Sequence, residues 1–267
     1  MVYTVEHLET SRAEGFGPLP VFRAVLAAML ELSGGPVRLL DCGCGTGFFT
    51  RQYAKLPGVA AVGLDMDETL LSAARELAAG EGLDIEFVRG DITKLPFADN
   101  SFDGAASDIL LEIFPDKTVP IGELVRVCRP GGRVLCMEPN YLSAVHYDPR
   151  LSPADNRLWI AYCQAGRAFG AGVELPDAMA RCGLEDVQVV PWLWGGLEKD
   201  GGKPEEAYLQ EQEAGLARGV QLGCIPEADA EDYRALFRRT AAARRQGEAA
   251  VLHGIDVYLV CGRKPDV

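Results

Sequence analysis

The apolar run Val37-Arg38-Leu39-Leu40-Asp41-Cys42 gives way to three glycines within five positions, Gly43, Gly45 and Gly47, and a helix-like segment covers 46–56. No other feature constrains the fold as much. Glycine lets the backbone take positive φ and approach a ligand closely, and a helix that starts at such a turn aims free N–H groups outward. Tight strand-to-helix turns also form for packing alone, so the motif by itself leaves ligand binding open.

The pattern continues downstream. Apolar segments at 60–65, 84–89, 102–108 and 133–138 read as strands, and 68–79 and 119–127 read as helices, the latter stopped by Pro130-Gly131-Gly132. Strands alternating with helices predict an α/β fold: a Rossmann-like, doubly wound, seven-stranded sheet, mostly parallel, with helices on both faces. The last two strands, 186–194 and 255–261, are β-branched and aromatic and stand apart from the alternation. At roughly 30 residues per strand–helix–strand unit, such a sheet needs fewer residues than the 267 present. The surplus predicts an N-terminal helical lid over 1–35, with an amphipathic helix at 21–32. The remaining domain, 36–267, carries helical cap insertions at about 139–184 and 195–253, the second reading as two helices split by Gly223-Cys224-Ile225-Pro226.

Composition narrows the function classes. With 26 basic and 39 acidic residues the chain carries −13, which disfavours nucleic acid or an anionic membrane surface as a partner. No apolar run approaches the ~18–20 residues of a membrane span. Residues 1–7 lack the basic start and apolar stretch of a secretory signal. Eight cysteines are scattered without a Cys-x-x-Cys pair, so neither a disulfide framework nor a metal site is expected, and a cytoplasmic location is.

Two acids sharpen the glycine turn. Val62-Gly63-Leu64-Asp65 ends the second strand with a carboxylate eighteen residues beyond Gly47, where an acid can accept two hydrogen bonds from a ribose diol. Gly90-Asp91-Ile92 follows the third strand, at the rim where an adenine edge would lie. All three segments end on the C-terminal edge of the sheet, where open α/β sheets bind ligands. A nicotinamide dehydrogenase fits poorly, because its turn is Gly-x-Gly-x-x-Gly and the third glycine here comes one residue too soon.

With these segments, with Leu95-Pro96-Phe97 and Asn100-Ser101-Phe102-Asp103, and with Arg129-Pro130-Gly131-Gly132-Arg133-Val134, the chain resembles the class I S-adenosylmethionine-dependent methyltransferases, especially the ubiquinone-biosynthesis-like small-molecule group. The resemblance runs from about 37 to 138. It implies S-adenosylmethionine as cofactor, leaving as S-adenosylhomocysteine. It implies that Gly43, Gly45 and Gly47 form the turn under the methionine part, that Asp41 orients the ammonium, and that Asp65 binds the ribose hydroxyls. Met66 would cover the adenine, Asp91 with the Ile92 N–H would read its edge, and Ser107 would contact the amino-acid moiety.

The acceptor leaves less trace, because a sulfonium methyl needs mainly an aligned nucleophile and sometimes a base. Many relatives carry a histidine shortly after the fourth strand; here Ile113 stands near that place. The candidate bases are His146, Glu112 and Asp108. His146 follows the fifth strand in Tyr141-Leu142-Ser143-Ala144-Val145-His146, and Glu138-Pro139-Asn140-Tyr141 reads as that strand's exit. His7 would belong to the lid. Trp192 and Trp194 share a strand face and would wall an apolar pocket with Trp159 and Phe169, or else cover the core. Arg238, Arg239, Arg244 and Arg245, with acids nearby, read as a salt-bridged helix surface. The expectation is in-line methyl transfer to O, N, C or S of a small molecule. The alternatives are a protein or RNA acceptor and a non-catalytic S-adenosylmethionine-binding protein.

Overall fold

The computed structural model describes residues 5–32, 35–165, 171–199, 205–221, 223, 225–245 and 249–266. Two helices, α1 (Val5–Gly15) and α2 (Leu19–Met29), precede the alternating part. That part runs β1 (Val37–Cys42), α3 (Phe48–Ala54), β2 (Val59–Asp65), α4 (Glu68–Gly80), β3 (Glu86–Arg89), β4 (Phe102–Asp108), α5 (Thr118–Val127) and β5 (Cys128–Tyr147). Then follow α6 (Pro153–Ala165), α7 (Ala171–Arg181), β6 (Glu185–Lys199), α8 (Glu205–Gln221), α9 (Ala230–Arg244) and β7 (Ala250–Arg263).

The strands form one seven-stranded sheet in the order β3-β2-β1-β4-β5-β7-β6. The pairings of β1 with β2 and β4, of β2 with β3 and of β4 with β5 are all parallel. Strand β7 enters antiparallel to β5: Gly131 donates to the Lys264 carbonyl at 2.9 Å, and Lys264 donates to that of Gly132 at 2.8 Å. The order reverses between β1 and β4, and the C-terminal ends of both strands meet on one edge, the place where such sheets bind ligands. Asp41 there lies opposite Gly63 on one side and Ala106 on the other.

The chain divides into two compact units, Met1–Pro139 with Ala171–Trp192 and Val257–Val267, and Asn140–Gly170 with Leu193–Asp256. The first is built on a core that includes Leu40, Val62, Leu64, Phe102, Ala105 and Val134. In the second, Trp159, Leu216, Leu236 and Phe237 pack α6, α8 and α9 together.

Several elements depart from the sequence reading for identifiable reasons. Helix α3 starts at Phe48 rather than 46, because Gly45 and Gly47 hold positive φ of 55° and 74° and delay helical geometry. Strand β5 does not exit at 139–141; it continues to Tyr147, so Pro139 and His146 lie inside it. Helix α7 belongs to the first unit, not to the insertion at 139–184, since Leu175, Ala178 and Met179 are buried in the main core. The N-terminal helices also pack within the first unit: Phe16 lies 4.9 Å from Phe22 and 5.1 Å from Phe49, ring centre to ring centre.

Candidate functional site

The glycine turn is held from beneath and open at its middle. The Gly43 and Cys44 amides donate to the Leu64 carbonyl at 2.7 and 3.0 Å, which fastens the turn to the end of β2. A side chain at Gly43, where φ is 75°, would bring its Cβ within 2.2 Å of Leu110 Cδ2. One at Gly47 would press on Phe87 at 3.1 Å. Gly45 differs, because a Cβ there would meet nothing within 4 Å. Gly43 and Gly47 are therefore glycines for packing and backbone conformation together, whereas Gly45 lines open space.

The strand ends bring acids to this edge. Asp41 is buried and accepts a hydrogen bond from the Thr50 hydroxyl at 2.5 Å. Burial pushes its pKa up to about 7, against the pull of that bond and of the Arg12 charge. Asp108, at the end of β4, accepts from the Tyr53 hydroxyl at 2.8 Å, and burial and then the Asp41 charge raise its pKa well above the carboxylate range. Thr50 and Tyr53, three apart on α3, thus turn one helix face toward two buried acids. Asp65 accepts from the Gly45 amide through Oδ2 and from the Asp67 amide through Oδ1, each at 2.9 Å. Each oxygen keeps a lone pair for a further donor. Met66 is 69% exposed beside it. Asp91 is exposed; it accepts from the Thr93 amide and hydroxyl at 2.8 Å each, and these bonds lower its pKa. Ile92 is buried in the main core, and Ser107 is fully buried on β4.

Sequence reasoning passed over several residues. Glu138, on β5, is fully buried and accepts from the amides of Leu110 (2.8 Å), Leu111 (2.6 Å) and Glu112 (3.3 Å). Burial pushes its pKa up to about 8. The available signal was a lone carboxylate closing the apolar run Val134-Leu135-Cys136-Met137. Helix α1 contributes two more. Glu9 accepts from the Thr46 hydroxyl at 2.5 Å and pairs with Arg51, which is buried, donates to the Thr46 carbonyl at 2.9 Å and pairs with Glu81 at 2.7 Å. Arg12 donates to the Thr46 hydroxyl at 3.5 Å; burial lowers its pKa, and the charges of Glu9, Asp41 and Asp108 oppose that.

The candidate bases are placed unlike one another. Asp108 belongs to the buried acid pair. Glu112 is half-buried in the 3₁₀ turn Leu111–Ile113 after β4. His146 lies in the second unit, its ring centre 5.1 Å from that of Trp159 and its Nε2 buried with no hydrogen-bond partner among the described residues. Burial and the neighbouring His253 lower its pKa to about 4. Trp159 donates to the Thr240 hydroxyl at 2.9 Å within the helical core of that unit, while Trp192 packs on Phe22 at 5.3 Å within the first. Phe169 and the side chain of His7 lie outside the described residues. The arginines of α9 are paired: Arg238 with Glu231 at 2.5 Å and Arg239 with Asp155 at 2.7 Å, while Arg245, just beyond it, meets Glu205 at 2.6 Å. Arg244 lies over the Tyr208 ring at 4.6 Å.

The donors and acceptors at the sheet edge fit S-adenosylmethionine. Among the described residues, Ser107 Oγ and Asp108 Oδ1 are buried polar atoms with no hydrogen-bond partner, beside an acid whose pKa burial has raised. A cationic ammonium offers the charge and donors such atoms lack. No group of three or more metal-ligating side chains occurs among the described residues.

A family model described as "Methyltransferase domain" matches residues 40–136. A demethylmenaquinone methyltransferase of Desulfitobacterium hafniense is 32% identical over 168 residues, 56% of this chain and 66% of the relative, just under two thirds of its length. That of Bacillus cereus is 30% identical over 188 residues, 63% of this chain and 78% of the relative. The YcgJ protein of Bacillus subtilis shares the fold with a TM-score of 0.55 at 19% identity, covering 91% of this chain and 99% of that one. Glycine turn, strand-end acids and these likenesses agree: the chain belongs to the class I S-adenosylmethionine-dependent methyltransferases of the ubiquinone- and menaquinone-biosynthesis type.

Proposed function

We propose that this protein transfers a methyl group from S-adenosylmethionine to O, N, C or S of a small-molecule acceptor by in-line displacement. The observation that carries this reading is the convergence of Asp41, Asp65, Ser107 and Asp108 on the edge that bears the open Gly45. When bound, S-adenosylmethionine supplies a methyl on a sulfonium that is already activated toward nucleophiles. The chain's own work is binding, alignment and exclusion of water. Asp41 with Asp108 would take the ammonium, Asp65 the ribose diol, Asp91 and the Ile92 amide the adenine edge, and Met66 its face. Helix α1, seated on Thr46 through Glu9 and Arg12, would act as a lid on the turn.

The demethylmenaquinone methyltransferases named above support a small, ring-bearing acceptor. The net charge of −13 and the paired arginines of α9 weigh against RNA. Among the candidate bases, the lowered pKa of His146 makes it a weak proton acceptor and favours a packing role, and Asp108 serves the ammonium better. Glu112 remains for acceptors that need a base. No helix among the described residues is long and apolar enough to cross a membrane, and all seven described cysteines are free thiols, which supports action in the cytoplasm.

Two measurements test the reading. Calorimetric titration with S-adenosylmethionine should show binding to wild type and weakening on the order of 10- to 100-fold in Asp65→Ala, the range for a lost charge-assisted hydrogen bond. Equal affinity in both would remove the ribose assignment. Labelled methyl supplied with fractionated cell extract should enter the small-molecule fraction. Label confined to protein or RNA would replace the acceptor class, and binding without transfer to any fraction would leave a cofactor-binding protein.

A further inference from the structure

Ile109, one residue beyond β4, has φ of 55°. A β-branched residue in the left-handed region is strained, and such a kink persists only where its surroundings over-determine it. Here they do. The Ile109 amide donates to the Met137 carbonyl at 2.7 Å, and the next three amides all turn to the carboxylate of Glu138 on the neighbouring strand. Beyond the kink, Leu110 lies against Gly43, filling the volume where any larger residue would put its Cβ. A mechanical chain results: buried carboxylate, three amides, Leu110, first glycine of the cofactor turn.

We propose that Glu138 is a positioning residue for cofactor binding: it pins the kinked exit of β4 so that Leu110 fixes the glycine turn in its binding geometry. This rests on the methyltransferase reading of that turn. The hydrogen bonds of Glu138 run to the 110–112 amides, so it holds the turn through them, and its charge also contributes to raising the pKa of Asp108. A carboxylate suits the task because three converging N–H groups need an acceptor with lone pairs on both oxygens. A glutamine keeps the Oε1 bonds to Leu110 and Leu111 and turns an amide donor toward the Glu112 N–H. Alanine leaves all three amides without an acceptor.

The test is calorimetric titration of S-adenosylmethionine and of S-adenosylhomocysteine into wild type, Glu138→Gln, Glu138→Ala, Leu110→Ala and the Glu138→Gln/Leu110→Ala double variant. Hydrogen exchange of the 110–112 amides and thermal midpoints are measured alongside. Val127→Ala serves as the control, because Val127 is fully buried at the end of α5 next to Cys128, which pairs with the start of β4, at the opposite edge of the sheet. The expected result is binding weakened about threefold in Glu138→Gln and on the order of tenfold in Glu138→Ala. The double variant should bind no more weakly than Leu110→Ala alone, since both changes act through one contact. Val127→Ala should lower the midpoint and leave affinity unchanged. Should Glu138→Ala fail to fold, the Gln variant and its double carry the same comparison. Wild-type affinity in Glu138→Gln with unchanged exchange at 110–112 would overturn the proposal, as would losses that multiply in the double variant or an equal loss in Val127→Ala. Failure of wild type to bind either molecule would instead remove the cofactor reading on which the proposal rests.

Discussion

Asp41 must be ionised to hold an ammonium, yet burial raises its pKa to about 7. Below that pH, binding has to expel a proton. Cofactor affinity is therefore expected to fall by up to about tenfold per pH unit below 7 and to level off above it. Titrations between about pH 5 and 8 check this, and Asp41→Asn should bind weakly with no such slope in this range. The glycines give a second residue-scale contrast. Gly43→Ala meets both a left-handed φ and Leu110 at 2.2 Å, and is expected to cost about 1–3 kcal/mol of stability or more. Gly45→Ala meets only the φ of 55°, about 1–2 kcal/mol, but puts a methyl into the open space of the turn. Thermal denaturation should rank Gly43→Ala the less stable, while titration should show that Gly45→Ala loses affinity out of proportion to its stability loss.

At the scale of elements, the attachment of α1 to the cofactor turn depends on Glu9. Its carboxylate meets both the Thr46 hydroxyl and Arg51, and Arg51 keeps Glu81 and the Thr46 carbonyl if Glu9 is removed. Glu9→Ala is therefore expected to cost a modest ~1–2 kcal/mol and to act locally. Hydrogen exchange should quicken across α1 while β1 and β2 remain protected. Unchanged exchange in α1 would show that the apolar packing of Phe16, the residue just after it, suffices to seat it. Such an outcome is plain to interpret because Phe16 is fully buried against Phe22 and Phe49.

At the scale of the whole molecule, three buried carboxyls and one histidine shape the dependence of stability on pH, beside carboxylates such as Asp91, Glu123 and Asp155 whose pKa is lowered. Asp41, Asp108 and Glu138 have folded pKa values raised above their unfolded ones. Their contribution is present in full below about pH 4. It is lost as pH climbs through the folded values, about 7 for Asp41 and about 8 for Glu138. His146 runs the other way: with its pKa lowered to about 4, its contribution is present above 6.5 and lost as pH falls toward 4. Unfolding midpoints at about pH 6.5 and about pH 8.5 should accordingly differ in wild type, with lower stability at the higher pH, and differ less in Glu138→Gln. A gap of the same size in that variant would mean that Glu138 titrates normally.

The sequence by itself determined whatever depends on neighbours along the chain. Alternating apolar strands and helices, the glycine turn and the acids at strand ends are local patterns, so the sheet, its C-terminal edge and the positions of Asp41, Asp65 and Asp91 on that edge were legible. Only the tertiary structure decided which distant side chains meet. Glu138 reads as an ordinary strand end until β5 lies beside β4 and its carboxylate meets three amides from residues 110–112. Arg12 and Glu9 carry no local signal until α1 packs on Thr46. His146 reads as a candidate base until burial, and then the neighbouring His253, lower its pKa. The reason is physical: backbone pattern follows from periodicity and steric preference, whereas the ionisation and hydrogen bonding of a buried group depend on contacts between residues far apart in sequence.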